Sequence, residues 1–245
     1  MVTVEDREAA QTCWYQCRAA LLGEVWSDGP LTWTREDDHL HLMFPARVPA
    51  DALRRGLERA RGSGVRMVGA WLGLETDASA LAAAGFERGW APWWMTAPVS
   101  AAGAAADPRI ELQEDTSDYR GEYAGYRASL ALTRERPRRS WYAAAYDDRG
   151  GGFAGRAWSH LSRSRLSGDL AGVFDMNVWE PFRRRGLGSG LLRAVVAAAA
   201  EAGARDAVLN ATPEGKLLYE SCGFRQIGEG ITWWLRLAGH HPEQP

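Results

Sequence analysis

Three arginines and three alternating glycines, Arg183-Arg184-Arg185-Gly186-Leu187-Gly188-Ser189-Gly190, follow the apolar run Val173-Phe-Asp-Met-Asn-Val178 and precede an alanine-rich stretch. Glycines admit backbone conformations closed to other residues and let a ligand come close to the chain. A helix starting there offers unpaired N–H groups and the positive end of its dipole, which suit an anionic pyrophosphate. Arginines beside those groups add charge-assisted hydrogen bonds to phosphate oxygens. The alternative is a solvated basic turn whose glycines only cap helices. Two other phosphate loops do not fit. No Lys-Ser/Thr pair follows, as a P-loop requires, and the third glycine of a dinucleotide fingerprint is replaced by Leu191.

About twenty residues further on comes Val208-Leu-Asn210-Ala-Thr-Pro-Glu-Gly-Lys-Leu-Leu-Tyr219-Glu-Ser-Cys-Gly223-Phe224. The two segments together resemble the GNAT superfamily of acyl-CoA-dependent N-acyltransferases. That family carries Arg/Gln-x-x-Gly-x-Gly/Ala between a strand and a helix, matched by Arg183, Gly186 and Gly188. Its later segment often reads Asn, then Leu-Tyr-Glu, then Gly-Phe. The resemblance covers residues 109–239.

The resemblance implies acetyl-CoA as co-substrate and a role for each matching position. Backbone near Asn177 and Val178 would pair with the pantetheine arm. The amides of Arg184, Arg185, Gly186, Leu187 and Gly188, with Ser189 and Gly190, would hold the pyrophosphate. Asn210 would contact the CoA arm, and Tyr219 would meet the departing thiolate as general acid. Read from the residues alone, the lesser alternatives are a turn residue before Pro213 for Asn210 and a buried tyrosine with a bonded hydroxyl for Tyr219. Some members of the family place a glutamate base six residues before the position of Val178. Here that position is Gly172, and the nearest acid, Asp175, has the opposite strand parity, so its direction depends on a bulge.

Elements must place these groups. Strands are expected at Arg109 to Gln113, Trp141 to Tyr146, Phe153 to Ser159, Leu170 to Val178, Ala207 to Asn210 and Thr232 to Leu237. Helices are expected near 117–131, at 189–202 and at 213–221, the last opening on Pro213. The earlier part reads as a helix at 5–24, strands at Leu31 to Arg35 and Leu40 to Phe44, and a helix at 50–61. A strand from Val65 to Leu72, a helix at 77–84 and a strand near Trp90 to Thr96 complete it. The proline-bounded run Ala97 to Pro108 lacks large apolar residues and reads as a linker.

Leu81-Ala-Ala-Ala-Gly85-Phe86 runs on to Trp93-Trp94, as Leu218 to Gly223-Phe224 runs on to Trp233-Trp234. That repetition points to an internal duplication. The expected organisation is a smaller degenerate GNAT-like domain at 1–96, a linker at 97–108, a catalytic domain at 109–239 and a tail at 240–245. The fold class is α/β (α+β), with a mixed, mostly antiparallel central sheet flanked by helices. The first half lacks any Arg-x-x-Gly-x-Gly.

Composition bounds the rest. With 29 basic and 31 acidic residues the net charge is -2, so no global positive field favours nucleic acid or an anionic membrane. No apolar run is long enough to span a bilayer, and the opening residues Met1-Val-Thr-Val-Glu-Asp-Arg-Glu8 do not read as a secretory signal. A cytoplasmic protein is expected, as a monomer or homodimer. Cys13, Cys17 and Cys222 make no disulfide framework, and neither they nor His160, His240 and His241 show metal-ligand spacing, so no metal is expected. Together these imply an N-acetyltransferase acting on a primary amine of a small molecule by direct transfer. The alternative is a non-catalytic acyl-CoA-binding sensor or regulatory module.

Overall fold

The computed structural model describes residues 1–102, 107–114, 128–147, 152–164 and 168–237. It divides into two compact units, Met1–Trp14 with Trp93–Gly228, and Tyr15–Pro92 with Glu229–Pro245. The expected division, 1–96 and 109–239 about a linker, differs from these units at both ends. The reason is strand pairing: each half of the sequence gives its last strand to the other unit's sheet.

In the larger unit the strand order is β6 (Trp93–Pro98), β11 (Asp206–Ala211), β10 (Gly168–Val178), β9 (Phe153–Ser164), β8 (Ser140–Tyr146), β7 (Ile110–Gln113). Only β10 and β11 run parallel; the other neighbours are antiparallel. Seven-residue β8 has six buried residues, which is why Ser140-Trp-Tyr-Ala-Ala-Ala lacks the alternation of a half-wet strand. One face of this sheet carries α4 (Leu187–Glu201), whose Leu187, Leu191, Leu192, Val195 and Val196 pack on Ala143, Ala157, Ala171 and Val173. Burying each such side chain contributes about 1.5–3 kcal/mol. The small alanines on the strands let the helix lie close.

The other face receives the first turns of α1 (Val4–Leu22). Thr3 and Asp6 start that helix reciprocally: Asp6 N donates to Thr3 Oγ1 at 3.2 Å and Thr3 N to Asp6 Oδ2 at 3.0 Å. Trp14 then stacks on Phe174 of β10 at 5.2 Å and lies 5.4 Å from the ring of Trp158 on β9.

The smaller unit orders β1 (Gly23–Asp28), β2 (Leu31–Glu36), β3 (His39–Met43), β4 (Met67–Gly73) and the later half of β12 (Arg225–Arg236). The two-residue β5 (Glu87–Arg88) also pairs with β12. β3 and β4 are parallel, joined through α2 (Ala50–Gly62), and α3 (Ser79–Ala83) follows β4. Strand, helix, parallel strand, short helix and Gly-Phe turn therefore occur in the same order in both units. The turns match atom for atom. Phe86 N donates to Leu81 O and Phe224 N to Tyr219 O, both at 3.0 Å, with Gly85 and Gly223 at φ +89° and +82°. Beyond them, Trp93-Trp94 pair with β11 while Trp233-Trp234 pair with β4.

The helix expected near 117–131 lies largely outside the described residues, as do the tail at 240–245 and most of the turn after Asp147. Within the described part, Leu130–Arg134 is a 3-10 turn.

Candidate active site

The parallel ladder of β10 and β11 runs from Leu170 opposite Asp206 to Val173 opposite Leu209. β10 then continues to Val178, held by β9 alone, and parts from β11. The register on β9 shifts between Phe174, opposite Trp158, and Asn177, opposite Arg156. Asp175 and Met176 thus share one opposing residue, which is a β-bulge, and Asp175 takes φ +48°. Asp175 and Asn177 are exposed and Val178 is half-buried. The backbone groups that β10 turns toward β11 are left without that strand beyond Val173.

The chain next makes a 3-10 turn at Glu180–Phe182 and the basic glycine loop. Gly186 adopts φ +81° at the start of α4, a conformation that costs a residue with a side chain about 1 kcal/mol or more. Gly190 N donates to Gly186 O at 3.0 Å, closing the first turn of the helix. The amides of Leu187, Gly188 and Ser189 precede that bond and are first-turn donors with no intrahelical acceptor. Ser189 Oγ donates to Gly186 O at 2.9 Å.

The three arginines differ. Arg183 Nε donates to Val178 O at 3.0 Å, and Arg185 donates to Pro181 O at 2.9 Å while pairing with Asp147 at 3.1 Å. Both therefore brace the loop. Arg184, at φ +61°, is exposed and makes no side-chain hydrogen bond or ion pair among the described residues. Arg109, held by Asp107 at 2.8 Å, donates to Arg185 O at 3.1 Å. The glycines differ too. A Cβ on Gly188 would come 3.0 Å from the flexible end of Leu218, whereas one on buried Gly190 would meet Asp107 and Ile110, both at 3.1 Å. Gly190 is small for packing.

Asn210 lies on β11 just past the last residue paired with β10. Its Nδ2 donates to Gln11 Oε1 of α1 at 3.2 Å. Asn210 Oδ1 and Gln11 Nε2 are buried with no hydrogen-bond partner among the described residues. Gln11 was not foreseen, because it is 199 positions away in sequence.

Tyr219 sits in α5 (Pro213–Ser221), a helix capped by Thr212 Oγ1, which accepts from Gly215 N at 3.2 Å. The ring is buried against Phe224, and its edge crowds position 215, where a Cβ would lie 3.0 Å from Tyr219 Cε2. Burial, with a smaller contribution from Cys222, pushes the Tyr219 phenol up to about 12. Its hydroxyl has no hydrogen-bond partner among the described residues. Lys216, three residues earlier, lies 4.7 Å from the Trp93 ring.

At Gly172 a Cβ would come 2.5 Å from Phe174 Cε2. The place where a side chain from 172 would emerge is thus filled by the Phe174 ring, itself stacked on Trp14. Elsewhere on the same face, Cys13 Sγ lies 3.4 Å from His160 Nε2, and Ser140 Oγ 2.9 Å from His160 Nδ1. The three cysteines are free thiols.

The bulged strand, the glycine loop and the helix after it all lie within the part of the chain that a family model matches. Residues 137–226 match the family model described as Acetyltransferase (GNAT) domain. Among solved structures, a GCN5-related N-acetyltransferase from Kribbella flavida is 15% identical, with 98% of each chain covered and a TM-score of 0.61. A putative acetyltransferase of the GNAT family from Novosphingobium aromaticivorans is 18% identical over 95% of this chain and 98% of that one, at 0.58. A tandem GNAT protein from the clavulanic acid biosynthesis pathway is 18% identical over 84% and 78%, at 0.53. No curated protein matches the sequence. The chain has the mixed, mostly antiparallel fold of GNAT acetyltransferases, and through residues 137–226 it carries a domain of the GNAT superfamily.

Proposed function

We propose that this chain is an N-acyltransferase that moves an acetyl group from acetyl-CoA to a primary amine of a small molecule. The observation that carries the reading is the opening between β10 and β11 beside the free amides of α4. A strand edge without a neighbour can pair with the two amides of a pantetheine arm, as another strand would. The first-turn amides of Leu187, Gly188 and Ser189, with the positive end of the helix dipole, suit a pyrophosphate. Arg184 adds the charge that Arg183 and Arg185, occupied in bracing the loop, do not. Asn210 and Gln11 offer one acceptor and one donor, which match a secondary amide of the arm.

The chemistry is direct transfer. An amine near pKa 10.4 is mostly protonated at neutral pH and must lose a proton before attack. The nitrogen adds to the thioester carbonyl, a C–N bond forms, and the C–S bond then breaks. Tyr219, kept protonated by burial, supplies the proton to the thiolate and recovers one from the acylated nitrogen. Holding both substrates in register contributes much of the acceleration.

The test is purified protein with acetyl-CoA and a panel of small primary amines, following thiol release. Turnover supports the enzyme. Gly172, standing where some relatives carry their base, favours a second reading, a non-catalytic acyl-CoA sensor. Tight CoA binding without turnover on any amine would select it.

A further inference from the structure

Cys13 and Cys17 stand one turn apart on one face of α1, which runs unbroken from Val4 to Leu22. Helix spacing keeps the Cβ atoms of such a pair about 5–6 Å apart. A disulfide needs about 3.5–4.5 Å, so the two sulfurs cannot bond without disrupting the helix. They can share an ion. His160 on β9 turns its Nε2 toward Cys13 and lies 3.4 Å from the sulfur. The donor atoms of Cys13, Cys17 and His160 all lie within 4.8 Å of one another. A tetrahedral zinc, bonded at about 2.3 Å to sulfur and about 2.0 Å to nitrogen, sets the sulfur and nitrogen about 3.6 Å apart. Two sulfurs on it stand about 3.8 Å apart. The edge from Cys13 to His160 already has nearly that length, and small rotations of the Cys17 side chain would close the others.

We propose that Cys13, Cys17 and His160 form a zinc site that clamps α1 onto β9. Two thiolates and an imidazole suit a thiophilic ion, and no carboxylate joins the cluster among the described residues to favour magnesium or calcium. The surroundings hold each ligand in its binding form. Ser140, paired with His160 across β8 and β9, places its Oγ 2.9 Å from Nδ1. With Nδ1–H donating to that oxygen, Nε2 keeps its lone pair for the metal. Arg139 Nη2 donates to Cys13 Sγ at 3.5 Å, a charge-assisted contact that a thiolate makes more strongly than a thiol. The thiolate is the form that ligates. Trp14, stacked on Phe174, lies 5.6 Å from the His160 ring and closes one side. His160 is buried and both cysteines are half-buried, and the two thiolate charges balance the ion's. No spacing in the sequence announces the site, since His160 is 147 positions from Cys13. Ligation ties the helix to the sheet, so the free energy of binding zinc adds to the stability of the fold.

The experiment takes the full chain, purified under reducing conditions and stripped with a chelator, and titrates it with zinc alone and with cobalt(II) alone. One equivalent should bind, and the melting temperature should rise with zinc concentration. Cobalt should show thiolate-to-metal charge transfer and the strong visible bands of tetrahedral coordination. Cys13→Ser and Cys17→Ser should keep the circular dichroism of the metal-free wild type and weaken zinc by more than about 100-fold. Ser140→Ala, which only frees the imidazole to turn, should weaken it about 10–100-fold. Cys222→Ser should bind zinc as the wild type does. A wild type with neither the charge-transfer band nor the rise in melting temperature overturns the proposal. So does wild-type zinc affinity in Cys13→Ser or Cys17→Ser, or its loss in Cys222→Ser. Every readout is metal binding, so each outcome leaves the acyltransferase reading where it stood.

Discussion

Tyr219 and Gly172 are the two residues at which a single atom group decides most. Replacing Tyr219 with Phe removes the phenol and keeps the ring that packs on Phe224. The hydroxyl has no protein hydrogen bond to lose among the described residues. Melting temperature should then stay within about 0.5 kcal/mol equivalent, while kcat falls about 10²–10⁴-fold. Unchanged kcat would remove Tyr219 from the mechanism. Gly172→Glu restores the family's glutamate in name only. Its Cβ would force Phe174 off Trp14, an overpacking cost of about 1–3 kcal/mol, and kcat should not rise. Higher kcat at an unchanged melting temperature would place the base at 172 after all. Asn210 and Tyr219 were legible in the sequence because a short motif fixes their spacing. Gln11 and Arg109 were not, since their partners Asn210 and Arg185 lie across a fold that only tertiary pairing brings together.

The element that matters most is the start of α4. Its glycines announce it, and the helix begins at Leu187, two residues before the expected 189, because Gly186 in the left-handed region lets the chain turn at once into the helix. Pro213 marks α5 equally well. The elements the sequence hid lack local signals. β1, Gly-Glu-Val-Trp-Ser-Asp, alternates only between half-buried and exposed and carries residues of low strand propensity. β12 begins at Arg225 rather than 232, through two glycines that mask it. A bulky side chain at Gly188 should block the first-turn amides. Leu218 has a flexible end facing that position, so the fold should survive Gly188→Trp at a cost of about 1–3 kcal/mol. Calorimetry should show CoA binding weakened about 100-fold or more, a loss of about 3 kcal/mol. Wild-type affinity in a folded variant would put the cofactor elsewhere.

At the scale of the whole chain, the two halves share an order of elements but not a site, and that fixes a stoichiometry. The repeated Trp-Trp strand and Gly-Phe turn were visible in the sequence; the exchange of the last strands was not, because no local signal says which sheet a strand will join. Aligning the halves through that exchange compares them position by position. The link from β3 into α2, Phe44-Pro-Ala-Arg-Val-Pro49, has no glycine, and Pro49 precedes the helix where Gly186 precedes α4. Gly69, opposite Trp234, stands where Asn210 stands opposite Trp94. A Cβ at Gly69 would meet the Trp234 ring at 2.6 Å, so no amide side chain fits there. Leu81, accepting from Phe86 N, stands where Tyr219 accepts from Phe224 N. The smaller unit thus lacks a counterpart of the glycine loop, of Asn210 and of Tyr219 at once. We expect one CoA per chain at saturation, read as the calorimetric stoichiometry, and Gly188→Trp should abolish that binding event rather than halve it. Two CoA per chain, or a second event surviving in the variant, would show that the smaller unit binds the cofactor by other means.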